Sequence, residues 1–296
     1  MPFRPFRCSV HSVRQLSPHF LRVTFTGPDL VGLVPSAPVL DLRIKLIFPG
    51  PDNRLPDLPD GDDWYRCWSE LPAGQRGHMR TYSVRDFVRQ GPDAFLTVDF
   101  VLHLAAGATG PASLWARDAR PGDPALAIGP TAADATGAGV EFTPGDATEL
   151  RLIGDETAAP AIARILRDLP AGSCGAALIE VPTAADQLDL DAPAGMSVTW
   201  FPREGAPHGQ LLLDSLAVTS EPTQDGGDLI WETPGHSSSG EPLDTDGTDG
   251  GATYYWIAGE SGMVTTLRRH LVKTRGVSRS RVSFMGYWKR GVAMRG

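Results

Sequence analysis

The sequence predicts a β + α/β chain: an N-terminal antiparallel β-barrel followed by a C-terminal parallel-sheet α/β domain. Three observations predict it. Residues 7–130 read as short β-rich runs broken by turns. Residues 148–215 change to strand, helix, strand with short links. The 296 residues and 41% hydrophobic content are enough for two separate cores. The expected domains are 1–146 and 147–296, the second carrying an insert at about 220–252.

In the first half, Phe20 to Thr26 alternates apolar and polar residues before Gly27-Pro28. Leu40 to Phe48 repeats the pattern before Pro49-Gly50, and Phe95 to His103 is a third strand. Gly110-Pro111-Ala112-Ser113-Leu114-Trp115-Ala116 opens a helix. Ala127-Ile128-Gly129-Pro130 closes the barrel. In the second half, Glu149–Gly154, Gly175–Val181 and Ser197–Phe201 are strands of a buried sheet. Thr157–Leu169 carries Ile162, Ile165, Leu166 and Leu169 at helical spacing. Residues 220–252 are dense in Gly, Ser, Pro, Asp and Thr and predict a mobile acidic loop, with a brief strand at Asp228–Trp231. Order resumes with a strand at Tyr254–Gly259, a helix at about Ser261–Thr274 and a last strand at about Val282–Gly286.

Composition excludes several classes of function. The net charge is -8, which argues against nucleic acid as the main partner, because phosphate binding needs a basic surface. Cys8, Cys67 and Cys174 are far apart and form no CxxC pair, so they build neither a zinc site nor an iron–sulfur cluster alone. They read as free thiols of a reducing compartment. The N-terminus lacks the apolar run of a signal peptide. No window of about 18 apolar residues predicts a membrane span. A soluble, cytoplasmic protein is expected.

The chemistry starts at Arg80-Thr81-Tyr82-Ser83-Val84-Arg85. An arginine fork can contact two oxygens of a flavin pyrophosphate. Tyrosine offers a stacking plane for an isoalloxazine. A serine hydroxyl can hydrogen-bond to a flavin N5. Strand alternation puts Arg80 and Tyr82 on one face, where one ligand could touch both. Taken alone, the tetrapeptide Arg80-x-Tyr82-Ser83 is better explained by an ordinary barrel strand. The glycine-rich approach to the helix at Pro111 adds free N–H groups suited to an anion. Ser113 reads there as a helix cap, a phosphate contact or both.

Six stretches in order carry a resemblance. They are Arg80–Arg85, Val98-Asp99-Phe100-Val101-Leu102-His103, Gly110–Ala116, Gly154-Asp155-Glu156-Thr157-Ala158-Ala159-Pro160-Ala161-Ile162, Trp256–Glu260, and Gly286-Tyr287-Trp288-Lys289-Arg290-Gly291. Together the chain resembles the siderophore-interacting proteins, flavin-dependent ferric-siderophore reductases of the ferredoxin-reductase-like superfamily. The resemblance implies FAD held mainly by the barrel. It implies cofactor contacts from Arg80, Thr81, Tyr82 and Ser83, with Tyr82 and Ser83 nearest the reacting ring. Asp99, Phe100, Val101 and His103 would lie along the ring and ribityl chain. Ala112, Ser113 and Trp115 would lie near the pyrophosphate and adenine, with Asp155 and Thr157 beside the adenine. A lone strand histidine such as His103 is otherwise structural.

Gly154–Pro160 follows a strand and opens a helix, a sound place for a dinucleotide, although it is not GxGxxG. The acids Asp155 and Glu156 would repel a pyrophosphate there. Arg203 reads equally as a contact for a 2′-phosphate or as a solvated loop charge. Expected donors are NADH, NADPH or a ferredoxin, and the expected substrate is a ferric siderophore, many of which are anionic. Lys45 and Arg281 are the cations carried over for it, and no protein metal ligand is required. Tyr287 and Trp288 read as access-controlling residues or as core. The rival readings are a general flavin reductase or an electron-transfer reductase for a protein partner, and a non-catalytic siderophore- or flavin-binding protein.

Overall fold

The computed structural model describes residues 3–50, 52–103, 110–133, 137–218, 231–234 and 252–292. The chain divides into two compact units, the first ending at Val140 and the second starting at Glu141.

Seven strands build the first unit: β1 (Phe3–Gln15), β2 (Phe20–Thr26), β3 (Arg43–Phe48), β4 (His78–Ser83), β5 (Asp86–Gln90), β6 (Asp93–Val101) and β7 (Pro124–Pro130). They form one antiparallel sheet in the order β4-β3-β7-β1-β2-β6-β5. The sheet curls toward closure. The chain leaving edge strand β4 donates from the Val84 N–H to the Leu42 carbonyl (2.8 Å) and from the Arg85 N–H to the Thr97 carbonyl (2.9 Å) on β6. One face packs inward: Phe6, Cys8, Val10, Val23, Phe25, Ile44, Leu46, Leu96 and Val98 share a core. The outward face of β3, β4 and β7 is covered by helix α1 (Trp64–Glu70), which lays Trp64 and Trp68 on Ile47, Met79, Leu126 and Ile128. Helix α2 (Pro111–Asp118) buries Ala112 and Ala116 against the first core. β1 and α1 were not legible in advance. Along β1, Arg4, Pro5, Arg7 and His11 interrupt the apolar alternation of Phe6, Cys8 and Val10.

The second unit contains β8 (Glu149–Gly154), α3 (Ala159–Asp168), β9 (Gly175–Val181), β10 (Met196–Pro202), α4 (Gln210–Ser215), β11 (Trp231–Glu232), β12 (Thr253–Glu260), α5 (Ser261–Arg268) and β13 (Val282–Trp288). The sheet order is β10-β9-β8-β12-β13-β11. The first five strands are parallel, and β11 runs antiparallel to β13. The connections switch direction between β8 and β12. In open parallel sheets, ligands bind at such a switch, beyond the carboxyl ends of the strands.

Two sequence expectations shift here. The first helix begins at Ala159 rather than Thr157, because Asp155 holds residues 155–158 as a turn: its carbonyl accepts from the Ala158 and Ala159 N–H groups. The second helix ends as α5 and continues as π-helical turns over Arg269–Thr274. Most of the insert at 220–252 lies outside the described residues. Its described part includes β11, where Glu232 accepts a bidentate pair from Arg268 (2.6 and 2.8 Å).

Candidate functional site

The motif strand β4 is an edge strand, paired only with β3 along its length. Its register sets Arg80 opposite Leu46 and Tyr82 opposite Ile44, so both belong to the inward face. Thr81 sits opposite Lys45 and Ser83 opposite Arg43, on the outward face. The four residues therefore point to two sides of one edge. The Arg80 guanidinium is half-buried and donates one hydrogen bond, to the Met79 carbonyl at 2.7 Å. It has no carboxylate partner among the described residues. Tyr82 packs its ring 4.5 Å from that of Phe100 and edge-on to Phe48. Burial pushes its hydroxyl well above the usual phenol range, so it stays protonated and serves as a ring rather than as a base. Trp115 of α2 stacks on Phe48 at 4.2 Å and extends the same aromatic cluster.

The β6 residues divide in the same way. The Asp99 carboxylate is buried and accepts a bidentate pair from Arg22 (2.6 and 2.7 Å), with Arg85 at 3.5 Å. Its charge is thus spent on two guanidinium groups of the barrel. Val101 offers its carbonyl to the Ser113 hydroxyl (3.4 Å), which ties α2 to the end of β6. Helix α2 starts with Gly110 as its cap residue and no side-chain cap, so Ser113 is not the cap. His103 follows the strand, half-buried, and Ala112 is buried. The Lys45 ammonium donates to the Thr81 hydroxyl (3.2 Å). Burial, helped by neighbouring Arg43, lowers its affinity for a proton. Arg43 and Lys45 thus form a short basic strip beside Thr81 and Ser83.

In the second unit, the carboxyl ends of the parallel strands carry a buried ionic network. Asp155 and Glu156 follow β8, Glu180 lies on β9, Arg203 follows β10, and Glu260 ends β12. Asp155 accepts from the Thr157 N–H (2.8 Å), the Glu260 N–H (2.7 Å) and the Trp288 indole N–H (2.9 Å). Gly259, at φ 139°, makes room for it: a Cβ there would lie 2.7 Å from the Asp155 carboxyl carbon. Arg203 forks onto Glu156 (2.7 and 2.9 Å) and also reaches Glu180 (3.2 Å). The His208 imidazole lies 3.4 Å from Asp155 and 3.5 Å from Glu156, and edge-on to the Trp288 ring. Burial alone would raise the Glu156 carboxyl, but His208 and Arg203 hold it well below the usual range. Burial opposes a charge on His208, yet Glu156 and Asp155 outweigh it and raise its affinity for a proton. Glu180 is raised, mainly by burial.

Residues 9–134 match the family described as siderophore-interacting FAD-binding domain, and residues 147–291 match the family described as siderophore-interacting protein. An uncharacterized protein of Mycobacterium tuberculosis (strain H37Rv) is 33% identical over 98% of this chain and 93% of its own length. The chain belongs to the siderophore-interacting protein family. A siderophore utilization protein from T. fusca is 33% identical, covers 99% of this chain and 95% of its own, and superposes with a TM-score of 0.73. The siderophore-interacting protein SipS from Aeromonas hydrophila is 29% identical, with 99% and 94% coverage and a TM-score of 0.68. Ferric vibriobactin reductase ViuB of Vibrio cholerae is 27% identical over 94% of this chain and 87% of its own. A ferredoxin reductase of carbazole 1,9a-dioxygenase, at 18% identity and a TM-score of 0.58, shares the fold. This siderophore-interacting protein therefore carries a FAD-binding domain, and among the described residues no helix is long and apolar enough to cross a membrane.

For this siderophore-interacting protein, several sequence expectations need correction. Arg203 is neither a solvated loop charge nor available to a 2′-phosphate, because Glu156 and Glu180 occupy it. Asp155 and Glu156, the acids expected to repel a pyrophosphate, are both buried and paired. The Asp155 carboxylate is turned into the network, and Thr157 closes the turn around it. Arg281 stands just before β13, at the amino end of the sheet and away from the crevice, and pairs with Asp146 at 2.7 Å. Glu180, His208 and Glu260 went unread as a group. One signal was available: a lone acid in the otherwise apolar run of β9.

Proposed function

We propose that this chain is a FAD-dependent reductase of ferric siderophores, acting in the cytoplasm to release Fe(II). The observation that carries the reading is Arg80: a half-buried guanidinium with no carboxylate partner among the described residues, on the same face as Tyr82. A positive charge left without an internal anion fits a ligand that brings its own, and a pyrophosphate matches the guanidinium fork. Because β4 is a sheet edge, a planar ligand lying along it can meet residues of both strand faces. Arg80 then binds the pyrophosphate and Tyr82 offers its ring. Ser83 and Thr81 present hydroxyls, and Phe100, Val101 and His103 line the neighbouring strand. Ala112, Ser113 and Trp115 bring the start of α2 to the same ligand. Asp99, Asp155 and Thr157 act as holders of backbone and of partner cations. Bound FAD supplies two-electron acceptance and one-electron release. The basic strip of Lys45 and Arg43 favours an anionic ferric chelate, and of the two cations singled out in the sequence we retain Lys45. The relatives support this reading: ViuB is named a ferric vibriobactin reductase, and two solved neighbours are named for siderophores.

The test is spectroscopic. Purified protein reconstituted with FAD should show a bound-flavin spectrum, and the anaerobically reduced form should be reoxidised by ferric siderophores with Fe(II) trapped by a chelator. A bound flavin that no ferric chelate reoxidises would leave a flavin-binding protein without this substrate.

A further inference from the structure

We infer that the switch-point crevice of the second unit is closed to the phosphates of a nicotinamide dinucleotide. The inference deepens the reading above and rests on it for the flavin.

A dinucleotide at such a crevice needs two things. It needs backbone N–H groups at a helix start with nothing bound to them, and it needs a neutral or basic surround for the pyrophosphate. Two helices start at this switch, α3 after β8 and α5 after β12. The chain supplies its own acceptors to both, a carbonyl at α3 with a carboxylate on the turn before it, and a carboxylate at α5. At α3, the Asp155 carboxylate takes the Thr157 N–H (2.8 Å), and the Asp155 carbonyl takes the Ala158 and Ala159 N–H groups (3.0 and 3.1 Å). At α5, the Glu260 carboxylate takes the Gly262 N–H (2.7 Å) and the Met263 N–H (3.1 Å). Its other oxygen accepts from the Arg290 N–H (3.2 Å).

The surround is acidic as well. Four carboxylates meet here, Asp155, Glu156, Glu180 and Glu260, each at most 7% exposed. The two basic side chains among them, Arg203 and His208, are turned onto those carboxylates. A pyrophosphate would have to displace the Asp155 turn at α3 and the buried Glu260 carboxylate at α5, and it would meet no uncommitted cation of the network. Gly259 adds a steric sign of the same arrangement. Its missing side chain leaves space that the Asp155 carboxylate fills, whereas in a phosphate loop such space admits the phosphate.

The experiment measures binding directly. 15N-labelled FAD-loaded protein is titrated with NADH, NADPH and ADP-ribose up to about 1 mM, the upper end of common KM values. The amides of Gly154, Thr157, Gly262 and Met263 are followed, with equilibrium dialysis in parallel. No saturable binding is expected. In anaerobic mixing, any bleaching of the flavin band should rise linearly with nicotinamide concentration. Saturable binding that shifts these amides, or a saturating bleaching rate, overturns the inference. A chain that retains no FAD fails the reading of the previous section instead, and the dinucleotide titration, which needs no flavin, still decides this one.

Discussion

Arg80 carries one charge whose partner must come from outside the described residues. Replacing it with alanine should weaken FAD retention by about 1.5–3 kcal/mol, the scale of a charge-assisted hydrogen bond. Quenching of flavin fluorescence on binding gives the affinity, and an unchanged value would remove Arg80 from the site. Arg203 is the opposite case, a cation whose removal would leave Glu156 and Glu180 buried without it. Arg203→Leu should therefore cost about 3–5 kcal/mol, as breaking a buried pair does. Urea unfolding followed by Trp fluorescence tests this. His208 adds a pH signature. Its proton affinity is raised on folding, so its contribution is complete below about pH 6.5 and is lost as pH rises through the folded value. Glu156 is lowered, so its contribution holds above about pH 4.5 and is lost only as pH falls through the folded value. The stability gap between wild type and His208→Gln should accordingly narrow from pH 6 to pH 9. A gap constant across that range would mean that His208 is neutral.

At the scale of elements, the loop from β8 to α3 shows what periodicity reads and what it misses. Glu149–Gly154 and Gly175–Val181 were legible to the residue, because buried parallel strands are continuous apolar runs bounded by glycine. The fold class followed from those runs and from the change of period at the middle of the chain. The flavin motif was legible as residue types, yet its division between two strand faces required the register with β3. The ionic network was not legible, since its members come from four strand ends and the loop after β10, and only the sheet brings them together. Lone charges carry no period. Gly259 ties that network to the backbone. Gly259→Ala would set a Cβ 2.7 Å from the Asp155 carboxyl carbon, at a φ of 139° that L side chains rarely adopt. A loss of about 1–3 kcal/mol is expected, the cost of overpacking. Thermal unfolding should report it, along with a changed environment of Trp288, whose indole hangs on the same carboxylate.

Across the whole molecule, charge is uneven. The chain carries a net charge of -8, while Arg43 and Lys45 form a small basic strip on one sheet. An anionic ferric chelate is repelled by the total and drawn by the strip, and salt screens both beyond about 10 Å at 0.1 M. Attraction at contact range survives screening better than repulsion from a distance. Lys45→Gln should therefore lower the rate with anionic chelates by several-fold and leave neutral chelates nearly unaffected. Steady-state kcat/KM for one chelate of each kind makes the comparison, and equal losses would assign Lys45 a structural role.

The two-residue strand β11 has a consequence for the molecule in a crowded solution. A parallel sheet ends in a row of unsatisfied backbone groups, and such a row invites the strand of another copy. Trp231 and Glu232 pair with Met285 and Phe284, and Arg268 clamps Glu232 in place. This short strand within the long acidic insert thus acts as a guard rail on the open side of β13. Trimming the insert past Glu232 would leave that side bare, and the protein would be expected to self-associate long before its own fold gave way.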